Sequence, residues 1–334
     1  MWPSAEEPDL GSFLVPLTAA LERAGHEIEV VAISRRGGPP AKYLRLAREA
    51  RAAARRKAPD VVFAHFLFPA GAAGALAARA AGAPLVVMAH GQDVANLDRR
   101  IPGIASVTRW VVGRAAAVIA NSRWLADRLT ARTPAAGAKL EVANVGVDLA
   151  AFAPCPAGDA RAALDWDGDG PAFVCVGSLI ERKNVVRLAD AFSRIGRGRL
   201  AFVGDGPLRG ALEGRAGVRL VGRVPQAEVP RWIAAADVLC QPSLTEPFGQ
   251  ATLEAMAMER SVVATTVGGP PEFVTPQAGV LVDPHDIGAL AAALERAAEL
   301  PSPNPAAREA AAGHDVHHQA AKMVAVLDRA RASR

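Results

Sequence analysis

Short apolar runs, mostly rich in β-branched residues, alternate with Ala-, Leu- and Arg-rich stretches of helical length along almost the whole chain. Most of the runs are continuously apolar, which is typical of parallel strands that are buried on both faces of a sheet. Parallel strands need long crossover connections, and the helical stretches supply them. The alternation therefore predicts an α/β fold with doubly wound sheets. The predicted strands are 27–33, 60–66, 84–90, 116–121 and 139–145, then 172–177, 199–204, 218–222, 236–241, 261–267 and 279–283.

The chain has 334 residues, more than one hydrophobic core usually serves, so we expect two domains. A Pro-, Gly- and Asp-rich stretch separates the two groups of strands. We expect a Rossmann-like domain over 1–152, a linker over 153–171 and a second Rossmann-like domain over 172–305. Residues 306–334 are expected to form a helix that packs back toward the first domain. Two such domains facing each other would leave a cleft at the carboxyl ends of both sheets, where open α/β folds bind ligands.

The chain begins with a loop and a predicted helix (Phe13–Ala24), where a doubly wound domain normally begins with an apolar strand. The N-terminal domain is therefore expected to lack its first strand. We expect Met1 to be an internal methionine of a longer protein.

The composition is that of a soluble globular protein, with 51% hydrophobic and 22% charged residues. The longest apolar stretches are too short to span a bilayer, and no signal peptide is recognisable. Cys155, Cys175 and Cys240 are far apart and have neither metal-ligand nor disulfide spacing, which fits a reducing cytoplasm.

Two glycine-bearing loops follow predicted strands in the second half. In 177-GSLIERKN-184 the glycine would let an anion approach the backbone, and Arg182 and Lys183 supply positive charge; a solvated turn is an equal alternative. The loop 204-GDGPLRG-210 is similar to a dinucleotide-binding fingerprint, but its last gap is one residue too long. It indicates a tight loop near a ligand more than an NAD site.

The acidic stretch 165-DWDGDG-170 is similar to the beginning of a calcium loop and to the Asp-x-Asp motif of metal-dependent sugar transferases. A calcium loop needs a glutamate at its twelfth position, where this chain has Val176. We interpret the stretch as a solvated acidic turn and predict no metal site.

Histidines mark the ends of two predicted strands in the first half. His90 opens 90-HGQD-93 at the carboxyl end of a strand, so His90 and Asp93 are predicted to face the cleft. His65 ends the preceding strand and is predicted to face it too. The tail histidines, His314, His317 and His318, are interpreted as surface residues.

Two glutamates bracket a helix start in 246-EPFGQATLE-254. Glu246 could simply cap that helix, but a cap does not explain Glu254, which lies within an apolar helical run. A Gly/Pro turn, 268-GGPPE-272, follows the next strand and alone would pass as an ordinary loop.

Together these segments resemble the retaining glycosyltransferases of family 4, which have the GT-B fold. The resemblance covers practically the whole chain and is most specific at the glutamate pair in its EPFG setting. It implies transfer of a sugar from a nucleotide-diphosphate sugar to a glycan, lipid-linked or small-molecule acceptor, without a catalytic metal or a cofactor. The matching segments are 90-HGQD-93, 177-GSLIERKN-184, 204-GDGP-207, 221-VGRV-224, 246-EPFGQATLE-254 and 268-GGPPE-272.

The resemblance also implies roles for individual residues. Lys183 and Arg182 would meet the diphosphate, Glu246 the hydroxyls of the transferred sugar and Glu254 the ribose, while His90 would lie beside the sugar's reactive end. In this family retention is ascribed to same-face attack, so no protein nucleophile is assigned. The further donor-binding positions are Gly177, Ser178, Gly204, Gly206, Val224, Phe248, Gly249 and Gln250, and the acceptor side comprises Gly11, His65 and Asp93.

Two features depart from the family pattern. Ser178 stands where an arginine is usual, so one of two expected phosphate cations is missing and Arg182 would replace it only in part. The absent first strand normally leads into a glycine-bearing loop near donor and acceptor, and Gly11 is expected to be its remnant. Both departures are expected to weaken donor binding.

A basic helix is predicted over 41–57, within a segment (Arg35–Lys57) that holds nine basic residues and one acid. It is interpreted either as a solvated helix of an Arg-rich protein or as a patch that docks on an anionic membrane. The second interpretation would suit a lipid-linked acceptor and would place the protein at the inner face of the plasma membrane. Nucleic acid is not an expected partner, because the basic surplus is confined to one helix without interleaved aromatic residues.

Three alternatives remain open at this stage. A sugar-nucleotide epimerase on the same fold would isomerise the donor without an acceptor. An NAD-dependent oxidoreductase would change the absorbance of a nicotinamide. A catalytically weakened sugar-nucleotide-binding protein would bind the donor without turning it over.

Overall fold

In a computed structural model of the protein, residues 1–97 and 103–333 are described. The chain forms two compact units. The N-terminal unit comprises Met1–Gly146 and the helix that begins at Val316, and the C-terminal unit comprises Val147–Asp315.

The N-terminal unit contains a sheet of four parallel strands in the order β1-β2-β3-β4. The strands are β1 (Val62–His65), β2 (Leu85–Ala89), β3 (Ala117–Ala120) and β4 (Leu140–Val142). Its helices, numbered in chain order, are α1 (Leu14–Arg23), α2 (Ala41–Lys57), α3 (Ala70–Ala81), α4 (Gln92–Ala95), α5 (Ile104–Arg114), α6 (Arg123–Arg132) and α13 (Val316–Ala332).

Helices cover both faces of this sheet, which is why its strands are apolar without alternation. Val87 of β2 packs in one core with Val111 of α5. Met88, the next residue, points to the opposite face and packs with Leu17 of α1 and Met323 of α13. A sheet buried in this way confirms the prediction of a doubly wound unit.

The C-terminal unit contains a sheet of six parallel strands in the order β10-β9-β8-β5-β6-β7. The strands are β5 (Ala172–Val176), β6 (Arg199–Val203), β7 (Val218–Gly222), β8 (Val238–Gln241), β9 (Ser261–Thr265) and β10 (Gly279–Val282). Its helices are α7 (Ala157–Leu164), α8 (Val185–Ile195), α9 (Val229–Ala235), α10 (Gln250–Ala257), α11 (Ile287–Ala298) and α12 (Pro305–Ala312). Alternate residues of β5 again enter two separate cores, Val174 one and Phe173 the other.

The strand predicted over 27–33 was wrong. Residues 26–33 have no regular secondary structure, and the main-chain bond recorded for Ile33 is that from Trp2 N–H to its carbonyl at 3.0 Å. The apolar run fits a strand, but a strand also needs a neighbour to pair with, and none of the described residues supplies one. The other predicted strands are confirmed: β7 has the predicted bounds and the rest are shorter, β4 most of all, at Leu140–Val142.

The predicted linker over 153–171 lies within the C-terminal unit, so that prediction needs correction. Its Pro, Gly and Asp content suggested flexibility, yet it contains α7 and the buried Trp166, whose ring lies 5.7 Å from that of Trp232. The side chain of Arg199 also donates to the carbonyls of Gly168 and Gly170, so it fixes the backbone of the acidic turn at 165–170. Residues 306–334, predicted to form one helix, are divided between the two units. Helix α12 belongs to the C-terminal unit, and α13 belongs to the N-terminal unit, where it packs against α1.

The assignment of α13 to the N-terminal unit can be tested by substituting Met323, which is fully buried. Met323→Ala removes side-chain volume from the core that α13 shares with α1, so it should cost about 2–5 kcal/mol of stability. Hydrogen exchange read by mass spectrometry should show faster exchange in α1 and β2 and unchanged exchange in β8 and β9. Lys322→Ala, at the exposed neighbouring position, is the control. Faster exchange confined to the C-terminal unit would contradict the assignment of α13.

Candidate functional site

Two loops of the C-terminal unit pack back to back where β5 and β6 end. Gly177 N–H donates to Val203 O at 2.9 Å, and Gly204 N–H donates to Gly222 O at 2.8 Å. Gly204 has a φ of +145°, and a Cβ there would lie 2.0 Å from Gly177 O. The predicted tight loops are therefore present, and their backbones approach at a distance that a side chain would prevent.

A buried ion pair lies at the carboxyl ends of β5 and β8. Lys183 ends a 3₁₀ turn (Glu181–Lys183), and its Nζ lies 2.6 Å from Glu246 Oε2. Arg182 Nη1 lies 3.6 Å from the same oxygen and donates to Thr245 O at 3.0 Å. Ser243 Oγ donates to that oxygen as well, at 3.0 Å. The structure thus brings together three of the four residues predicted to be catalytic.

The environment keeps Glu246 ionised. Burial by itself would raise the pKa of this carboxyl, which is 7% exposed, but Lys183 and Arg182 outweigh it and hold the pKa below its usual value. All of the contacts above fall on Oε2. Glu246 Oε1 has no hydrogen-bond partner among the described residues, so one oxygen of a fixed carboxylate is available to accept from a ligand.

The turn predicted as an ordinary loop, 268–272, positions Glu246. Glu246 N–H donates to Val267 O at 3.0 Å, and Gly269 N–H donates to Glu246 O at 2.9 Å. Gly268, with a φ of +130°, passes so close that a Cβ there would lie 1.8 Å from Glu246 O. The two glycines are therefore required to hold the glutamate's backbone in place.

Helix α10 begins at Gln250, four residues after Glu246, and no side chain caps its N-terminus. Its N-cap is Gly249, with a φ of +106° and no side chain to accept from the first N–H groups. Phe248 is buried and its ring contacts those of Phe273 and His314, at 5.3 and 6.1 Å. His314, interpreted from sequence as a surface residue, is therefore packed in an aromatic cluster beside this helix. An uncapped helix N-terminus favours a bound anion.

Glu254, the second glutamate, lies in α10 and is buried like the first, but none of the described residues places a cation beside it. Burial raises its pKa to about 8, and a hydrogen bond with Gln250, one turn earlier, opposes the rise. At neutral pH the carboxyl is therefore largely protonated in the unliganded protein. Its two oxygens remain suited to hydrogen bonding with hydroxyls, as donor or acceptor.

Three further predicted donor positions are Ser178, Val224 and Gly206. Ser178 is exposed, and Val224 is half-buried against the core of the unit. A Cβ on Gly206 would lie 2.5 Å from Leu179 O, so this glycine too is required by a close backbone contact.

The two predicted histidines of the N-terminal unit contact each other. His65 and His90 follow one another at the ends of β1 and β2, with His65 Nδ1 3.1 Å from His90 Nε2. The rings of Phe13 and Phe66 lie 5.3 and 4.5 Å from that of His90. Burial lowers the pKa of His65 to about 3 and that of His90 well below its usual value, so both are neutral at physiological pH.

Asp93, predicted on the acceptor side, is buried and holds the loop that follows β2. Its Oδ1 accepts from the N–H groups of His90, Gly91 and Val94, and its Oδ2 accepts from Leu67 N–H at 2.8 Å. Because both oxygens are occupied by backbone, the carboxylate fixes His90 and is not presented to a ligand.

Gly11, also predicted on the acceptor side, makes a close backbone contact. It has a φ of +72°, and a Cβ there would lie 2.6 Å from Met1 O. Its carbonyl accepts from Leu14 N–H at the start of α1. The neighbouring Phe13, which the sequence did not single out, is the residue of this turn whose ring contacts His90.

Over residues 1–97 and 103–333, no three His, Cys, Asp or Glu side chains cluster in a way that could hold a metal ion. None of the helices in these ranges is both long and apolar enough to cross a bilayer.

Sequence reasoning missed two polar residues. Ser243, fully buried, fixes Glu246, and Asn121, at the end of β3, donates to His90 O at 3.5 Å. Ser243 stands three residues before the glutamate in 241-QPSLTE-246, and Asn121 directly follows an apolar strand. The place of Asn121 at a strand's carboxyl end was a usable signal, whereas the contact of Ser243 depends on how its loop turns.

Two family models match the chain. The model described as Glycosyltransferase Family 4 matches residues 11–151, and the model described as Glycosyl transferases group 1 matches residues 170–299. The first covers the strands that carry the histidine pair, and the second covers the Lys183–Glu246 site.

Curated relatives match over most of the chain. A teichuronic acid biosynthesis glycosyltransferase of Bacillus subtilis, TuaC, is 30% identical over 71% of this chain and 61% of its own length. The 2-deoxystreptamine glucosyltransferase of Streptomyces kanamyceticus is 32% identical over 77% of this chain and 73% of its own length. The chain thus spans about three fifths of the first relative and nearly three quarters of the second.

Solved structures share the fold. Sucrose-phosphate synthase of Thermosynechococcus elongatus aligns with a TM-score of 0.82 and 23% identity over 97% of this chain and 94% of its own. HepE of Anabaena, solved with UDP and glucose, aligns with a TM-score of 0.75 and 23% identity over 93% of this chain and 88% of its own. These likenesses, with the two parallel-sheet units, establish the GT-B fold class.

The raised pKa of Glu254 predicts that the buried carboxyl destabilises the folded protein at high pH. Glu254→Gln should remove this loss of stability. Between the ordinary pKa of a glutamate and about 8 the folded state holds a proton that the unfolded state has released, so stability falls as pH rises through this range. Relative to wild type, the variant should have an unchanged free energy of unfolding in urea titrations at pH 5 and a higher one at pH 9, by on the order of a few kcal/mol. Glu213→Gln, at an exposed position, is the control. An equal difference between variant and wild type at both pH values would contradict the buried, protonated state.

Proposed function

The chain belongs to glycosyltransferase family 4, and from that premise we propose that it transfers a glycosyl group from a nucleotide-diphosphate sugar to a hydroxyl of an acceptor. The observation that carries this proposal is the buried ion pair between Lys183 and Glu246 at the start of α10. The pair places a cation and an anion with a free oxygen side by side, which suits a ligand that has a diphosphate next to a sugar.

The diphosphate is the group that Lys183, Arg182 and the N-terminus of α10 would bind. Two side-chain cations and uncapped N–H groups neutralise a leaving diphosphate without a metal ion. The exposed Ser178 supplies no charge here. Arg182, which is only partly buried and donates to Thr245 O, would compensate in part.

The two glutamates would then bind different parts of the donor. Glu246 Oε1, held by Lys183 and Ser243 through its other oxygen, accepts from hydroxyls of the transferred sugar. Glu254, one turn into α10, would bind the ribose. Transfer forms a bond from the acceptor oxygen to the anomeric carbon as the bond from that carbon to the diphosphate breaks. The acceptor's proton passes to a phosphate oxygen, and same-face attack retains the configuration.

The acceptor is assigned to the N-terminal unit. Support comes from the position of His65 and His90 at the carboxyl ends of two parallel strands, the edge at which open α/β sheets bind ligands. The named activities of the two relatives concern a polysaccharide and an aminocyclitol, so the acceptor of this chain is proposed only as a hydroxyl compound.

The division of labour at the ion pair can be tested with Glu246→Gln. A panel of nucleotide sugars is first screened for thermal stabilisation, and the most stabilising one is used to measure hydrolysis or transfer. Glu246→Gln should lower kcat about 10²-fold, because the neutral amide accepts less strongly from a sugar hydroxyl than the carboxylate does. Affinity for the nucleoside diphosphate alone should be retained.

Controls distinguish this proposal from the alternatives. Glu213→Gln, an exposed acid of the same unit, should leave both quantities unchanged. A parallel fall of nucleoside diphosphate affinity and kcat in Glu246→Gln would contradict the assignment of Glu246 to the sugar. Isomerised donor in the absence of acceptor would indicate an epimerase instead.

A second proposal concerns α2 and an anionic membrane. The segment Arg35–Lys57 is less basic than its sequence suggests, because several of its cations pair with acids of the same unit. Leu44, Arg48, Arg51 and Arg55 recur at helical spacing opposite the buried face, and Leu44 is 71% exposed. This stripe combines an apolar anchor with three charges and is the part of α2 suited to a lipid surface. The pairs are Arg35–Glu6, Arg36–Glu7, Arg36–Asp9, Arg45–Glu49, Arg56–Glu29 and Lys57–Glu27.

Vesicle co-sedimentation tests the stripe. A triple Arg48→Gln, Arg51→Gln, Arg55→Gln variant should bind phosphatidylglycerol-containing vesicles about 10²-fold more weakly than wild type, at roughly 1 kcal/mol per charge. A control triple substitution of Arg197, Arg231 and Arg296 by Gln, all exposed in the C-terminal unit, should change binding little. Equal binding of wild type to neutral and anionic vesicles at low salt would contradict the proposal.

A further inference from the structure

One buried amide joins three of the loops beyond the carboxyl edge of the C-terminal sheet. Asn184, which directly follows Lys183, is 3% exposed. Its Nδ2 donates to Pro242 O at 3.0 Å and to Pro284 O at 2.7 Å. Pro242 directly follows β8, and Pro284 follows the end of β10. Because β8 adjoins β5 and β10 is the edge strand beyond β9, the amide connects the loop after β5 with loops that are distant along the chain.

The amide is held in one orientation. Its Oδ1 accepts from Arg187 Nη1 at 3.1 Å, and an arginine side chain can only donate. The two proline carbonyls can only accept, so they require the Nδ2 end of the amide. Exchanging the two ends would bring oxygen against oxygen and nitrogen against nitrogen. Both polar atoms of the side chain therefore have the partners that their chemistry requires.

The backbone of Asn184 is constrained as well. Its φ of +59° and ψ of +29° lie in the left-handed region, which asparagine tolerates better than most residues other than glycine. Its N–H donates to Glu181 O at 2.8 Å at the end of the 3₁₀ turn, and its carbonyl accepts from Leu188 N–H at 3.1 Å at the start of α8. Lys183 is therefore followed by a residue that is fixed through its main chain and its side chain together.

The loops that Asn184 joins also carry the partner of Lys183. Glu246 belongs to the loop after β8, and Leu244 N–H of the same loop donates to Arg182 O at 2.8 Å. Lys183 Nζ reaches Glu246 Oε2 on a flexible four-carbon stem, so the ion pair forms reproducibly only if the backbone at the base of that stem is fixed. Asn184 fixes this backbone relative to the loop that holds Glu246.

A second buried asparagine of the same unit makes similar bonds away from the site. Asn304 is 1% exposed, and its Nδ2 donates to Ser261 Oγ and Gln277 O, both at 2.9 Å. Its Oδ1 accepts from Ala307 N–H at the start of α12. Ser261 is the first residue of β9, so this amide lies at the amino edge of the sheet, opposite the edge at which Lys183 lies. Asn304 therefore shows the stabilising use of a buried amide without a link to the ion pair.

From this arrangement we propose that Asn184 is a positioning residue of the donor site, whose amide holds the loops after β5, β8 and β10 so that Lys183 Nζ can bind a diphosphate. The proposal rests on the proposed function, since Asn184 acts through the cation that is assigned to the diphosphate. Asn184 is itself buried with both polar atoms occupied, so it makes no contact with the donor. Without the amide, the loop that carries Lys183 is released from its neighbours, and the affinity for the diphosphate falls.

Isothermal titration calorimetry with UDP, GDP and ADP tests the positioning role, and the nucleotide that binds wild type most tightly is used throughout. Asn184→Gly keeps the left-handed backbone and removes the amide, so it should weaken binding at least about fivefold. In a Lys183→Gln background, which lacks the charge, the same substitution should change the affinity less than about twofold. Such non-additivity is the result expected if Asn184 acts through Lys183, and a merely structural role would not produce it.

Two further variants serve as control and as replacement. Asn304→Gly removes the comparable amide at the opposite edge of the sheet, so it should lower the melting temperature and leave the affinity for the nucleotide unchanged. Arg187→Met leaves Asn184 Oδ1 without its donor. It should weaken nucleotide binding in the same direction as Asn184→Gly, and it serves if that variant does not fold.

The contrary outcomes are separable from failure of the proposed function. Equal affinity of wild type, Asn184→Gly and Arg187→Met would overturn the positioning role. So would a loss of affinity of the same size in the wild-type and Lys183→Gln backgrounds, because the amide would then act on the unit as a whole. Either result would leave the proposed function intact, since wild type would still bind a nucleoside diphosphate. If none of the three nucleotides bound to wild type, the proposed function would fail, and the positioning role with it.

Discussion

The buried contact between Lys183 and Glu246 is the interaction on which the C-terminal site depends. Taking both charges out of water is costly, and the contact is maintained because Ser243 and Arg182 converge on the same oxygen. Removal of one partner would leave an uncompensated charge in a buried position. The same arrangement fixes the orientation of Glu246 and leaves its second oxygen for a ligand. The stability of the C-terminal unit and its proposed recognition of a sugar therefore both depend on the contact between Lys183 and Glu246.

The parallel sheets explain why functional groups collect where they do. In both units the polar side chains follow the carboxyl ends of neighbouring strands, because the strands all run in one direction and end at one edge. In the C-terminal unit, glycines at 177, 204 and 268 let the loops beyond this edge touch backbone to backbone. In the N-terminal unit, Asp93 performs the corresponding task by binding four N–H groups of the chain around His90.

Sequence predicted the parts of this structure that local patterns encode. Buried apolar runs identified the strands, since a parallel strand covered on both faces needs no alternation, and the histidine and glutamate motifs marked strand ends at which polar side chains collect. The strand predicted over 27–33 was wrong because a strand must pair with a neighbouring strand, and no local sequence pattern shows whether that neighbour is present. The linker prediction failed because a Pro- and Gly-rich composition does not show that Trp166 is buried. Ser243 and Asn121 were missed because their roles depend on contacts across the fold, and the protonated state of Glu254 depends on burial, which its motif does not specify.

A crystal structure of the protein with its most stabilising nucleotide sugar would show which residues bind the donor. We expect Lys183 Nζ within hydrogen-bonding distance of a diphosphate oxygen, Glu246 Oε1 on a hydroxyl of the transferred sugar and Glu254 on the ribose. We also expect Glu246 Oε2 to keep its contact with Ser243. A donor bound with its diphosphate away from Lys183 and the start of α10, or with Glu246 on the nucleoside, would contradict it.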